Sequence, residues 1–269
     1  MDRPITTLAT TGDHRQRKAG IVKLSLAPTL IALLLQCTSA RGQAVVPDTT
    51  ASRFSVSLSL GFNTFALDDV RNFYDGLLEI YRANGIPIPT QREFPGNLLV
   101  GASFLYAVPS VVDIGLGGRY TWTRAFSSYE DYAGTANVDG KVTMFTLEGI
   151  IQKAFTPESD VNMYLGVRGG LVFGSSEYSQ KIVFTTVPNQ NAEILLSASG
   201  KGFTAEGYIG ANHRLNNIVL GASAGYRYAK ISDMNANITV DGQPLGSGTL
   251  EVDHDLSGFV LVAHVDFAL

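Results

Sequence analysis

From Phe54 onward, this chain alternates apolar and polar side chains at every second position almost throughout. That period of two restricts it to strands with unlike faces. In the first segment Phe54, Val56, Leu58, Leu60 and Phe62 alternate with Ser55, Ser57, Ser59, Gly61 and Asn63. Seven more segments follow, centred on Val100–Tyr106, Val112–Trp122, Met144–Gln152, Asn162–Phe173, Phe203–Gly210, Leu220–Tyr228 and Phe259–Leu269. The pattern predicts an all-β chain of eight antiparallel strands running up and down.

The links between segments alternate in length. Val108-Pro109-Ser110, Thr156-Pro157-Glu158-Ser159-Asp160 and Arg214-Leu215-Asn216-Asn217 are short and turn-rich, whereas residues 64–97, 124–141, 174–200 and 230–255 form long connections. An even strand count, short turns on one side and long loops on the other is the arrangement of a transmembrane β-barrel. Both chain ends then lie on the short-turn side. The polar sets are dominated by Gly, Ser, Thr and isolated charges, a composition that suits the narrow interior of eight strands. The apolar sets carry rings near their ends. Phe54, Tyr106, Phe155 and Phe267 stand at the short-turn end, and Phe62, Trp122, Phe145, Phe173, Phe203, Tyr228 and Phe259 at the loop end. Two aromatic girdles at the headgroup levels account for this placement. The alternative is an exported soluble barrel of lipocalin type, whose rings would gather in one cavity.

The first 44 residues read as an address. Leu24–Leu35 (LSLAPTLIALLL) is too short to span a hydrocarbon core of about 30 Å as a helix, is preceded by Arg15, Arg17, Lys18 and Lys23, and is followed by small residues. This is the order of a secretory signal. Cleavage after Ala40 or Ala44 fits the small-residue rule, with Ala44 favoured; a start at Val22 would give the signal ordinary proportions. Gln36 before Cys37 is too large for a lipoprotein site. The expected organisation is a signal over 1–44, a periplasmic tail over 45–52 and a barrel domain over 53–269. Six of the 20 Lys and Arg and two of the 24 Asp and Glu belong to the signal, leaving 14 basic against 22 acidic residues. A mildly acidic chain excludes nucleic acid as the expected partner. The only cysteine lies in the signal, so no disulfide is expected.

Five inward-parity charges form the sharpest constellation: Arg119, Glu148, Arg168, Glu206 and Arg227, one on each of strands three to seven, alternating in sign. Side by side they would make a ladder of arginine–carboxylate contacts, since a buried charge needs a partner and a planar guanidinium suits a carboxylate. Asp113, His264 and Asp266 could extend it toward the short-turn end. Such a network either plugs the bore, which the reading favours, or gates an ion or proton path. Loop one holds the one convincing helix, residues 68–84. Asp68 or Asp69 offers an N-cap, Val70, Phe73, Tyr74, Leu77, Leu78 and Tyr81 recur at helical spacing, and Asn84-Gly85 ends it. It could cover the barrel mouth or simply pack on the rim. Loops three and four contain alternating pieces that predict hairpins continuing above the membrane.

No catalytic set, metal site or cofactor is expected from the sequence. His213, His254 and His264 lack the spacing of a zinc helix. His254, Ser257 and Glu251 imitate the His–Ser–acid set of outer-membrane lipid hydrolases, but such a triad depends on geometry. The signal, the eight amphipathic strands, the Arg/Glu-bearing lumen and the terminal strand Gly258–Leu269 together resemble the small outer-membrane β-barrel family of OmpA/OmpX type. The resemblance covers nearly all of the mature chain and rests on architecture. It departs at the end, where Phe267 stands two positions before the final Leu269. It implies an integral, non-enzymatic protein of the cell outer membrane, structural or adhesive, without cofactors. Its expected partners are the membrane lipids, the barrel-assembly machinery during insertion and an extracellular partner at the loops. A narrow pore or carrier, and a lipid-modifying enzyme, are the alternatives.

Overall fold

The computed structural model describes residues 53–89, 97–109, 111–155, 161–185, 191–215, 218–232, 234–250 and 254–269. The signal segment 1–44, the tail 45–52 and Glu251 lie outside them. The strands are β1 (Phe54–Asn63), β2 (Asn97–Val108), β3 (Val112–Asp131), β4 (Gly134–Ala154), β5 (Val161–Phe184), β6 (Ala192–Leu215), β7 (Ile218–Ile231), β8 (Met234–Val240), β9 (Gln243–Leu250), β10 (His254–Asp255) and β11 (Gly258–Ala268). One helix, α1 (Asp68–Ala83), precedes β2.

Strands β1 to β7 pair antiparallel in sequence order, β11 pairs with β7, and β11 also pairs with β1. The ring is therefore closed by eight strands, with β8, β9 and β10 outside the circuit. Its stagger can be read from the register. Starting at Ala107, successive partners are Asp113, Gln152, Gly166, Tyr208, Gly225, Val260, Asn63 and then Asn97, so one turn returns to β2 ten residues from its origin. A shear of this size makes the strands tilt and lets each hydrogen-bonded row climb from the short-turn end to the loop end. Full closure removes every backbone edge along the membrane-crossing part, which hydrocarbon requires.

The polarity is inverted. Outward-facing Leu58, Leu60, Leu116 and Leu147 are each more than half exposed, whereas Arg119, Glu148 and Arg227 face inward at 2 % or less. No described helix is long and apolar enough to cross a membrane. A closed barrel with a greasy exterior and a charged interior is a membrane-spanning barrel of outer-membrane type. Its girdles are formed by ring contacts, Phe54 with Tyr106 (4.9 Å) at one end and Tyr120 with Trp122 (5.6 Å) and Phe145 with Phe173 (6.4 Å) at the other.

Two expectations are corrected. Residues 124–141 are not a loop: β3 and β4 continue through them and turn at Tyr132-Ala133. Alternation persists there with reversed polarity, since Ala125, Ala136, Val138 and Val142 are buried while Arg124 and Lys141 are exposed. The helix also begins differently. Its N-cap is Leu67, in the left-handed region (φ 45°) and without a side-chain cap, while Asp68 and Asp69 sit in the first turn, where carboxylates favour the helix dipole. Leu67 is held by its buried side chain and by its amide donating to the Asp255 carbonyl (2.9 Å).

Strands β5 and β6 have 24 residues each, whereas about 9–11 suffice for a tilted crossing, so more than half of each stands above the bilayer. The β8–β9 hairpin turns at Asp241-Gly242, both at positive φ, and β8 adds to the outer part of β6.

Candidate functional site: the bore and its outer plug

Parity aims the five charges into one bore, where Arg119–Glu148 and Glu206–Arg227 pair between neighbouring strands and a third contact crosses the bore. Arg119 Nη2 lies 2.6 Å from Glu148 Oε1 on the adjacent strand and 2.7 Å from Glu206 Oε2, three strands away. Glu206 Oε2 also accepts from Arg227 Nε at 3.1 Å. One carboxylate oxygen is thus shared by two guanidinium groups. Eight strands leave a bore narrow enough for Arg119 to reach across it to Glu206 in addition to its adjacent-strand partner Glu148. Arg168, although in register with Glu206, instead lies 4.7 Å above the ring of Tyr208, a cation–π placement.

Below this layer the polar groups form chains. The Tyr208 hydroxyl donates to Gln152 Oε1 (3.1 Å), and Gln152 Nε2 donates to Asp113 Oδ2 (3.3 Å). His264 Nε2 lies 2.9 Å from Asn212 Oδ1 and 3.8 Å from Asp266 Oδ2. The rings of Tyr208 and Tyr164 occupy the space that side chains at their cross-strand partners Gly166 and Gly210 would need. Alternation shows that both tyrosines face inward. The reciprocal Tyr–Gly register that packs them across the bore emerges only once β5 and β6 are paired.

Above the charged layer the interior turns apolar. Met144, Val142, Val138, Val172, Ala229, Ile231 and Met234 join the buried face of α1, made of Val70, Tyr74, Leu78 and Tyr81, in one core. Each fully buried valine, leucine, isoleucine or methionine among them contributes about 1.5–3 kcal/mol. The Tyr74 hydroxyl donates to the Val138 carbonyl (2.9 Å), and the Tyr74 ring lies against Gly140, where an added Cβ would come within 3.2 Å. The Tyr81 hydroxyl donates to Gln180 Oε1 (3.3 Å), and Phe73 meets Tyr178 edge-on at 4.9 Å. Burial holds both helix phenols above their ordinary pKa, so they stay neutral donors. Sequence reasoning found the helix and its apolar stripe but missed the chamber it fills.

The histidine–serine pairing differs from the one the sequence suggests. His254 Nε2 is 2.8 Å from Ser176 Oγ, both buried, while Ser257 Oγ is bonded to the backbone of Ala229. Among the described residues no group of three or more His, Cys, Asp or Glu side chains is placed to hold a metal ion.

No protein-family model matches the chain, and no curated protein sequence is similar to it. Similar solved structures exist. The outer membrane protein OprG from Pseudomonas aeruginosa is 16 % identical with a TM-score of 0.44, over 81 % of this chain and 96 % of that one. A major outer membrane protein from Thermus thermophilus is 10 % identical with a TM-score of 0.45, over 80 % and 99 %. Neisserial surface protein A is 14 % identical with a TM-score of 0.39, over 81 % and 99 %. At these identities the likeness is one of outline.

Proposed function

We propose that this protein is a non-conducting, non-enzymatic barrel of the cell outer membrane, of the OmpA/OmpX type, that serves a structural or adhesive role. In this reading the extended strands and hairpins above the girdle are presented to an extracellular partner, and the barrel-assembly machinery inserts the chain. The supporting observation is a bore filled twice. The Arg119–Glu148–Glu206–Arg227 clasp spans it within the membrane, and the α1 plug fills it above. The complete burial of Ser176 beneath this plug favours a positional role for its contact with His254 over catalysis.

Planar-bilayer recording tests the reading. The purified folded barrel should show conductance near zero, and Arg168→Ala should lower its stability without opening it. A large, steady single-channel conductance of the unaltered protein would replace the plug with the pore reading.

A further inference from the structure

Each charge of the clasp is followed, one inward position closer to the loops, by a small side chain. Arg119 is followed by Thr121, Glu148 by Thr146, Glu206 by Thr204 and Arg227 by Ala229. The three threonines form a shelf of hydroxyls below the apolar core that begins at Met144 and Ile231. Thr121 and Thr146 are fully buried and Thr204 is 4 % exposed. None of the three hydroxyls has a hydrogen-bond partner among the described residues. Thr146 lies directly opposite Arg119, and Thr204 is the diagonal neighbour of Arg227. The clasp has unpartnered groups of its own. Arg227 is completely buried and touches Glu206 through Nε, so its Nη1 and Nη2 are without an acceptor, as are Nε and Nη1 of Arg119. Against these donors stands one unpartnered buried carboxylate oxygen of the clasp, Glu148 Oε2.

We propose that a small monovalent anion, of halide size, is bound between the clasp and this hydroxyl shelf. A guanidinium only donates, so its free N–H groups need acceptors, and a hydroxyl can donate alongside them. Buried polar groups without partners are costly, and one ion can satisfy several at once. The Nη1–Nη2 edge of Arg227 is a fork built for an anionic acceptor. Charge points the same way. At this level Arg119, Arg168 and Arg227 stand against Glu148 and Glu206, and Arg168 rests on the Tyr208 ring rather than on a carboxylate. Asp113 and Asp266 belong to the polar chains at the short-turn end, held by Gln152 and His264. Size follows from spacing. Successive inward positions on a strand are about 7 Å apart, which leaves room for a halide but not for a large oxyanion.

The full-length folded barrel is titrated with urea in detergent, at one ionic strength, with potassium chloride or potassium gluconate as the salt. Gluconate is too large for the shelf. At chloride about ten times its dissociation constant, the folded-to-unfolded ratio should rise about tenfold over gluconate. Arg227→Lys keeps a positive charge beside Glu206 but removes the fork, and should abolish the difference between the salts. Should that variant lack the unboiled gel band of a folded barrel, Thr146→Val combined with Thr204→Val takes its place. It removes two hydroxyls and no charge, and should cut the chloride effect by more than half. Crystals grown in bromide should show anomalous scattering at hydrogen-bond distance from the Arg227 fork and Thr204 Oγ1. Equal stability in the two salts overturns the proposal, as does a chloride effect undiminished in the folded variants. A bromide-grown crystal with only water between Arg227 and Thr204 overturns it in favour of a hydrated interior. A conducting bore would overturn the plug reading without moving these binding signals, so the two fail separately.

Discussion

The membrane-spanning half of the bore and the half above it are made from the same strands and obey opposite rules. Along β4 every even-numbered residue from Ala136 to Gln152 faces inward, so parity never breaks. Yet Val138 and Val142 at the top give way to Thr146 and Glu148 below, while outward Lys141 gives way to Phe145 and Leu147. What changes is the surrounding solvent. Hydrocarbon cannot hydrogen-bond, so in the lower half polar groups turn inward and must satisfy one another. Water bathes the upper half, and there the hydrophobic effect assembles an ordinary core around α1. The lower half is specified by charge pairing and the upper by apolar packing, and the two should fail differently.

The largest test of that contrast is Glu206→Ala. It removes the oxygen shared by Arg119 and Arg227 and leaves two guanidinium groups buried with one carboxylate, for a loss of about 3–5 kcal/mol. Urea unfolding in detergent, followed by gel mobility, reads it; a loss below about 1 kcal/mol would mean that the lower bore is solvated and the contrast is smaller than drawn. Leu78→Ala comes next. It opens a cavity in the plug worth about 2–5 kcal/mol, toward the lower end at a rim that can collapse. Amide exchange should accelerate in residues 68–83 and the outer ends of β3 to β6, with the unboiled gel band unmoved. Loss of that band would show that the two halves fold as one unit. The smallest effect is expected for Arg124→Ala, which deletes an ion pair of the same chemistry as the buried clasp but open to water. The loss should be far smaller than for Glu206→Ala in the same urea titration, and smaller still at high salt. A loss matching that of Glu206→Ala would erase the distinction.

Much of the architecture was legible because membrane strands leave a simple trace. The eight segments, the ring positions and the parity of Arg119, Glu148, Arg168, Glu206 and Arg227 all follow from counting by twos. The extension of β3 and β4 through 124–141 was not legible. A search tuned to apolar-outward alternation does not recognise the same alternation with its sign reversed, as in Arg124-Ala125 and Lys141-Val142. The N-cap is not legible either, because Asp68 and Asp69 have capping chemistry, whereas Leu67 is fixed by burial and by a bond to the distant Asp255 carbonyl. Proximity along the chain points His254 to Ser257; pairing across the barrel mouth gives it Ser176 instead.

By itself the sequence determined strand number, facing and the inward charge inventory, because a two-residue period assigns every side chain to one face once the strand exists. Only the tertiary structure decided who meets whom. The ten-residue shear and the narrow bore let Arg119 reach Glu206 as well as neighbouring Glu148, set Arg168 on the Tyr208 ring and bring α1 against Val138. Those meetings depend on closure of the ring, a property that no local stretch of chain contains.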